Sequence, residues 1–167
     1  MRTATLTAIV TFALDQASKL AVVHGLNLIE RGVIEVAPPF LVFRMAWNRG
    51  INFGLLANDA DLVRWGLVVV SLAIAAWVWI WVRRENPGRW AQISAGLLVG
   101  GALGNVIDRI LYGAVADFLN MSCCGFENPY AFNVADIAIF AGAAGLVLFT
   151  GGGKDKPTPR KTRRKTP

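Results

Sequence analysis

The sequence predicts an all-α membrane protein: four transmembrane helices with a small β element on the outer surface and both termini cytoplasmic. Three observations lead there. Apolar residues make up 54% of the 167 and charged residues only 17%, with a mean hydropathy of +0.47, against about 25% charged residues in an average soluble domain. Four stretches carry the roughly 20 mostly apolar residues needed to cross about 30 Å of hydrocarbon. Basic residues collect where one side of a four-span chain would lie, as the cytoplasmic excess of Lys and Arg requires.

The first span runs from about Thr3 to Val23 and contains Asp15 and Lys19. Arg2 followed by an apolar run also resembles a cleavable leader, but the two charges interrupt the run and no small-residue cleavage pattern follows. The second span, about Leu62 to Val82, is uncharged except for Arg64 near its start. The third, about Trp90 to Leu111, turns polar at its end, and the fourth, about Ala131 to Gly151, carries Asp136 in its second turn. Trp65, Trp77, Trp79, Trp81 and Trp90 lie near span ends, as interfacial anchors do. Gly96, Gly100, Gly101 and Gly104 give the third span a small-residue packing face.

Arg2, the Arg83/Arg84/Arg89 link and the C-terminal tail fall on one side. The connections 26–61 and 112–130 then face outward. The first contains IEVAPPFLVF, which reads as short strands broken at Pro38-Pro39, followed by a glycine-punctuated turn. The second, with Cys123, Cys124, Gly125, Asn128 and Pro129, reads as an irregular loop.

The net charge of +6 belongs to the tail. Residues 154–167 hold seven Lys/Arg and one Asp, so residues 1–153 carry ten basic and ten acidic groups and balance to zero. A single membrane domain over 1–153 and a disordered basic cytoplasmic tail over 154–167 are therefore expected, the tail drawn to anionic lipid. The body has no aromatic-interleaved basic groove, so no nucleic-acid partner is expected. The two adjacent cysteines make neither a disulfide framework nor a zinc spacing.

Depth concentrates the polar residues. At 1.5 Å per residue, Asp15 lies roughly 18 Å, Lys19 roughly 24 Å and Asn105 roughly 22 Å along outward-running spans. Asp108 and Arg109 stand at the outer end of the third span, and Asn133 and Asp136 at the start of the inward-running fourth. Asp117 follows the third span by a few residues, and Arg64 sits at the outer end of the second. Each embedded ionisable group costs at least about 2.5–3.5 kcal/mol to insert, so several at one depth point to function. Asp15 and Lys19, four residues apart, face each other on one helix side, and a pair that merely neutralises itself fits that spacing as well. Asn105, Asp108 and Arg109 also share a face, and Asp108–Arg109 serves equally well as an interfacial anchor.

Asp117 and Asp136 flank a short outward loop that can fold back and bring them together. Two neighbouring carboxyls do not both ionise readily. One takes a proton from water while the other donates to a peptide carbonyl. Spacing alone is equally compatible with two unrelated interfacial acids. Other chemistries lack their parts. The only histidine is His24, with no HExxH; no GxSxG elbow accompanies the serines; neither cysteine has an evident base; and no phosphate-binding glycine motif occurs. No cofactor or metal is expected.

Five blocks, DQASK (Asp15 to Lys19), NRGINFG (Asn48 to Gly54), GGALGNVIDR (Gly100 to Arg109), VADF (Val115 to Phe118) and FNVAD (Phe132 to Asp136), resemble in order the signature blocks of the signal peptidase II, or lipoprotein signal peptidase, family. The resemblance covers nearly the whole chain except the tail. It implies an intramembrane aspartic endopeptidase of the bacterial inner membrane. Such an enzyme removes the signal peptide from diacylglyceryl-modified prolipoproteins just before the lipidated cysteine, with its site toward the extracytoplasmic face. Asp117 and Asp136 match the family's catalytic pair. Asp15, Lys19, Asn48, Gly50, Asn105, Asp108, Arg109 and Asn133 match its other polar positions, which shape the site and hold substrate. The family's small extracytoplasmic β-cradle fits segment 33–45. Ile51 and Asn52, after the block's glycine, and Ile137, after the second acid, depart from the family pattern. The implied partners are lipid-modified prolipoproteins and membrane lipids, with the protein a monomer. A proton- or ion-coupled transporter using the same acids is the rival reading, and it requires a polar path through both leaflets. A structural subunit, with the polar cluster as its assembly interface, is a third.

Overall fold

The computed structural model describes residues 1–50 and 60–150. The tail 154–167, Ile51 and Asn52 lie outside the described residues, as does the part of the 26–61 connection between 51 and 59. In chain order the elements are α1 (Arg2–Lys19), a π-helical turn continuing it (Leu20–Gly25), a short α2 (Leu28–Arg31), β1 (Val33–Ala37), β2 (Leu41–Asn48), α3 (Ala60–Glu85), α4 (Arg89–Tyr112), β3 (Val115–Asn120) and α5 (Val134–Thr150).

Three helical stretches are long and apolar enough to cross a membrane: Arg2–Gly25, Asp61–Glu85 and Arg89–Tyr112. The fourth apolar helix, α5, has 17 residues, about 25 Å at 1.5 Å per residue. Its surface, like that of the others, is apolar on the outside: Leu6, Ile9, Val69, Trp77, Phe140 and Leu148 are all exposed. A helix apolar on its outer face suits lipid and not water.

α4 is the hub, packing on α1, α3 and α5. Its glycines make this possible by bringing backbones together. A Cβ on Gly100 would meet Ala8 O of α1 at 2.5 Å, and one on Gly101 would meet Ala135 O of α5 at 2.6 Å. The expected small-residue packing face is thus split between two partners. Ala4, Ala8, Val78, Val82, Ala95 and Val99 fill the joint of α1, α3 and α4, and the Met1 amino group donates to Gln92 Oε1 at 2.7 Å, tying the starts of α1 and α4.

The strands form one antiparallel sheet in the order β1-β2-β3. The Pro38–Pro39 break expected between β1 and β2 is their turn. β2 runs to Asn48, beyond the strand-like 33–45 segment, and pairs Ala46 with Asp117 and Asn48 with Val115 on β3. Val23, Leu28, Ala116 and Phe118 make a second apolar cluster that seats the sheet on the π-helical turn and α2, just past the C-terminal end of α1.

Two details differ from expectation. The connection 112–130, read as irregular, contains β3. Five of the six β3 residues are buried, so the segment lacks the polar–apolar alternation that marks a half-exposed strand. α5 begins at Val134 and not near Ala131, so Asp136 falls in its first turn. The cause is a reciprocal cap. Asn133 Oδ1 accepts the Asp136 N–H at 2.9 Å, and Asp136 Oδ2 accepts the Asn133 N–H at 3.2 Å, an arrangement that starts a helix at the following residue.

Candidate active site

The same cap delivers Asp136 to the site. The acid is fixed in the first turn of α5, and Asn105 Nδ2 from α4 donates to its Oδ1 at 2.9 Å. Asp117 arrives from β3, whose alternation turns Ala116 to one face and Asp117 to the other. It accepts from Asn48 Nδ2 at 3.0 Å and from Asn133 Nδ2 at 2.6 Å. Asn133 also donates to Asn105 Oδ1 at 3.2 Å. Both acids therefore bond Asn133, one through its carboxamide and the other through its main chain. The Gly50 N–H holds Asn48 Oδ1 at 2.9 Å, orienting the Asn48 amide toward Asp117. Burial and the neighbouring Asp136 charge push the Asp117 carboxyl up from 3.8 to about 6, against the opposing pull of its Asn48 and Asn133 hydrogen bonds.

A second polar layer lies behind the pair. Lys19 Nζ bonds Asp15 Oδ2 at 2.7 Å and Asp108 Oδ2 at 2.8 Å. All three side chains are buried, Asp15 completely. The i,i+4 pair expected within α1 is present, and its lysine holds an acid of α4 as well. Asp108 therefore pairs with Lys19 across the helix interface. Arg109, expected beside it, instead sends Nη1 to Asn105 O at 3.2 Å, and its buried Nε has no hydrogen-bond partner among the described residues.

All ten residues singled out in the sequence thus enter one connected region. Several contributors were not among those ten, although Arg64 already stood out as a charge in the second span. Gln16, inside the DQASK block, donates to Asp15 Oδ2 at 3.0 Å and Asp108 Oδ1 at 3.3 Å. Asn120 donates to Asn128 O at 2.7 Å and Tyr130 O at 2.8 Å, anchoring the loop between the two acids. Arg64 donates to Arg109 O at 2.7 Å and Ile110 O at 3.0 Å, at the end of α4. Ile137 points outward and is exposed. Cys123 and Cys124 are free and exposed in the loop. Among the described residues no three His, Cys, Asp or Glu side chains converge as metal ligands.

Two carboxyls with a raised proton affinity on one of them, near the ends of apolar helices, suit acid–base activation of water on a peptide. The comparisons point to a family of peptidases. The family model described as signal peptidase (SPase) II matches residues 7–150. The lipoprotein signal peptidase of Methylorubrum extorquens (strain PA1) is 45% identical over 147 residues, covering 88% of this chain and 84% of that protein. That of Aeromonas hydrophila is 42% identical over 142 residues, covering 84% and 83%. A solved structure described as a bacterial membrane enzyme superposes with a TM-score of 0.75 at 26% identity, over 99% of this chain and 96% of its own. The transporter reading finds no support among these relatives. With most of its length matched by the family model and by relatives well above 30% identity, the chain belongs to the signal peptidase II family of aspartic peptidases.

Proposed function

We propose that this peptidase removes signal peptides from diacylglyceryl-modified bacterial prolipoproteins, cutting just before the lipidated cysteine, with Asp117 and Asp136 as its catalytic pair. The observation that carries the reading is the junction at Asn133, which bonds both carboxylates at once. Asp117, the more buried acid, holds the shared proton and donates it to the scissile carbonyl oxygen. Asp136 accepts a proton from the attacking water. The tetrahedral gem-diol then collapses: Asp136 passes the proton taken from water to the leaving nitrogen as the C–N bond breaks, one gem-diol hydroxyl returns its proton to Asp117 as the C=O re-forms, and the pair is left singly protonated as before. Asn48, Gly50, Asn105 and Asn133 hold the acids. Arg109, whose Nε has no hydrogen-bond partner among the described residues, offers that donor to a substrate carbonyl that would otherwise lie unpaired in hydrocarbon.

The topology follows from the same reading. α1, α3, α4 and α5 span the bilayer of the inner membrane, as one domain over 1–153. The termini and the Arg83/Arg84/Arg89 link are cytoplasmic, with 154–167 a basic tail. The acids then lie toward the extracytoplasmic face, where a lipidated cysteine at the end of a signal helix would present its scissile bond. α5 is about 5 Å shorter than the hydrocarbon it crosses, which draws the outer boundary inward to the acids at its start. The protein works as a monomer, because both acids come from one chain.

The test is processing of a diacylglyceryl-modified prolipoprotein by Asp117→Asn and Asp136→Asn. Each is expected to insert normally and to abolish cleavage. Cleavage retained by either variant ends this reading.

A further inference from the structure

The layer behind the acids has a geometry that packing alone does not require. Asp15 Oδ1 accepts the N–H of Ala135 at 2.9 Å, and Asp108 Oδ2 accepts the N–H of Ala116 at 3.1 Å. Ala135 immediately precedes Asp136, and Ala116 immediately precedes Asp117. Each acid of the pair thus has the N–H of the residue just before it held by a carboxylate, and one ammonium, Lys19, joins the two holding carboxylates at 2.7 and 2.8 Å. We infer that Asp15–Lys19–Asp108 is a strut that sets the separation of Asp117 and Asp136, with Lys19 as its positioning residue. This rests on reading Asp117 and Asp136 as the catalytic pair.

The separation of the pair is a relation between a strand and a helix, β3 and α5, which the chain itself connects only through the loop 121–133. Asn133 bridges them on the substrate side of the acids, and the strut bridges them from behind. Ala135 lies in the first turn of α5, where main-chain N–H groups lack helical partners. The Asp15 carboxylate satisfies one of these and meets the positive end of the helix. Ala116 lies in β3, opposite Trp47 of β2, and its N–H donates to Asp108 Oδ2. Lysine is required because two buried carboxylates facing one another without a cation repel strongly in a medium of low polarity. Without it the carboxylates move apart, or one takes a proton and loses half its grip on the amide. Gly104 makes the approach possible, since a Cβ there would lie 2.5 Å from Asp15 Oδ2. Lys19 makes no hydrogen bond to Asp117 or Asp136 among the described residues, so its effect passes through main-chain positions. Misplacement by about 1 Å of a reacting group costs on the order of a hundredfold in rate.

The experiment uses the full chain in phospholipid vesicles, with a synthetic diacylglyceryl-cysteine prolipoprotein peptide as substrate. Lys19→Met and Lys19→Arg are compared for kcat, KM and thermal midpoint, with Asp117→Asn as reference. The expected result for Lys19→Met is a kcat at least about tenfold lower with KM within about twofold, measured on the folded fraction. Lys19→Arg, which can still bridge two carboxylates, recovers most of the turnover. Unchanged kcat in Lys19→Met, a loss confined to KM, or an arginine variant as inactive as the methionine one overturns the strut. If Lys19→Met does not fold, Asp108→Asn decides: it keeps an oxygen for the Ala116 N–H and removes half the ion bridge. A several-fold drop in its kcat at unchanged KM supports the strut, and wild-type kcat overturns it. An active Asp117→Asn would instead bring down the catalytic reading beneath the strut, so the two failures are told apart.

Discussion

Asn133 donates its side-chain amide to the Asp117 carboxylate at 2.6 Å, while its carboxamide oxygen caps the Asp136 N–H at 2.9 Å. One fully buried side chain thus starts a helix and joins an acid on a strand to an acid on that helix. Asparagine fits because it carries an acceptor and two donors on one planar group. Aspartate in its place would offer no donor and would add a third carboxylate to the pair.

The two jobs of Asn133 can be separated. Asn133→Ala loses the cap and the donor together and is expected to lower stability by about 1–2 kcal/mol. Asn133→Ser keeps a capping oxygen, so its thermal midpoint should fall less, yet it cannot donate to Asp117 across the same distance. Both variants should lose turnover. Thermal unfolding and cleavage measured on the same vesicle preparations check this, and a serine variant with wild-type turnover would show the Asn133–Asp117 bond to be dispensable.

The raised Asp117 carboxyl makes stability depend on pH in a defined direction. Its folded value of about 6 exceeds its ordinary 3.8. Between these two values the folded protein holds a proton that the unfolded chain has released. The wild type therefore loses stability as pH rises from about 4 to about 6 and is level above that. Asp117→Asn removes the ionisable group. It should match the wild type near pH 4 and become the more stable of the two by pH 7, while being inactive. A parallel pH dependence of the two unfolding midpoints would contradict the shift. The same proton predicts that kcat/KM falls about tenfold per unit as pH rises above 6, since the free enzyme then loses its acid.

How far the site could be read in advance depended on whether its contacts were local. Asp15 and Lys19 meet through helical spacing, and the spacing alone shows it. Asp108, the second partner of Lys19, lies 89 residues on and meets it only because Ala8 and Gly100 let α1 and α4 touch. The reciprocal cap at Asn133 was present as an Asn-x-x-Asp spacing, but the apolar Ala131 and Phe132 ahead of it extend the hydropathic run and hide the boundary. β3 escaped notice because it is buried on both faces, and an aspartate in the middle of a strand runs against β-propensity. The strands at 33–37 and 41–48 were legible because β-branched and aromatic residues there flank a proline break.

Arg64 illustrates a charge whose role only the tertiary structure gives. In the proposed topology it stands at the outer end of its helix, against the cytoplasmic preference of basic residues, and among the described residues its one acidic contact, Asp61 at 3.6 Å, is with a largely exposed side chain and contributes little. Its fork instead holds Arg109 O and Ile110 O, two carbonyls in the last turn of α4, where helical partners run out and the helix end carries negative charge. Gly113, with φ of 77°, closes the same end through its N–H on Arg109 O at 3.1 Å, so the C-terminus of α4 is sealed twice just before the chain enters β3 and Asp117. Arg64→Ala is expected to lower stability by about 1.5–3 kcal/mol, the range for hydrogen bonds to a charged group. Arg64→Lys should recover only part of this, because an ammonium lacks the planar fork that spans two carbonyls. Arg64 touches neither acid, so turnover per folded molecule should change far less than the unfolding midpoint. A lysine variant as stable as the wild type would mean that charge alone, and not the fork, holds the end of α4.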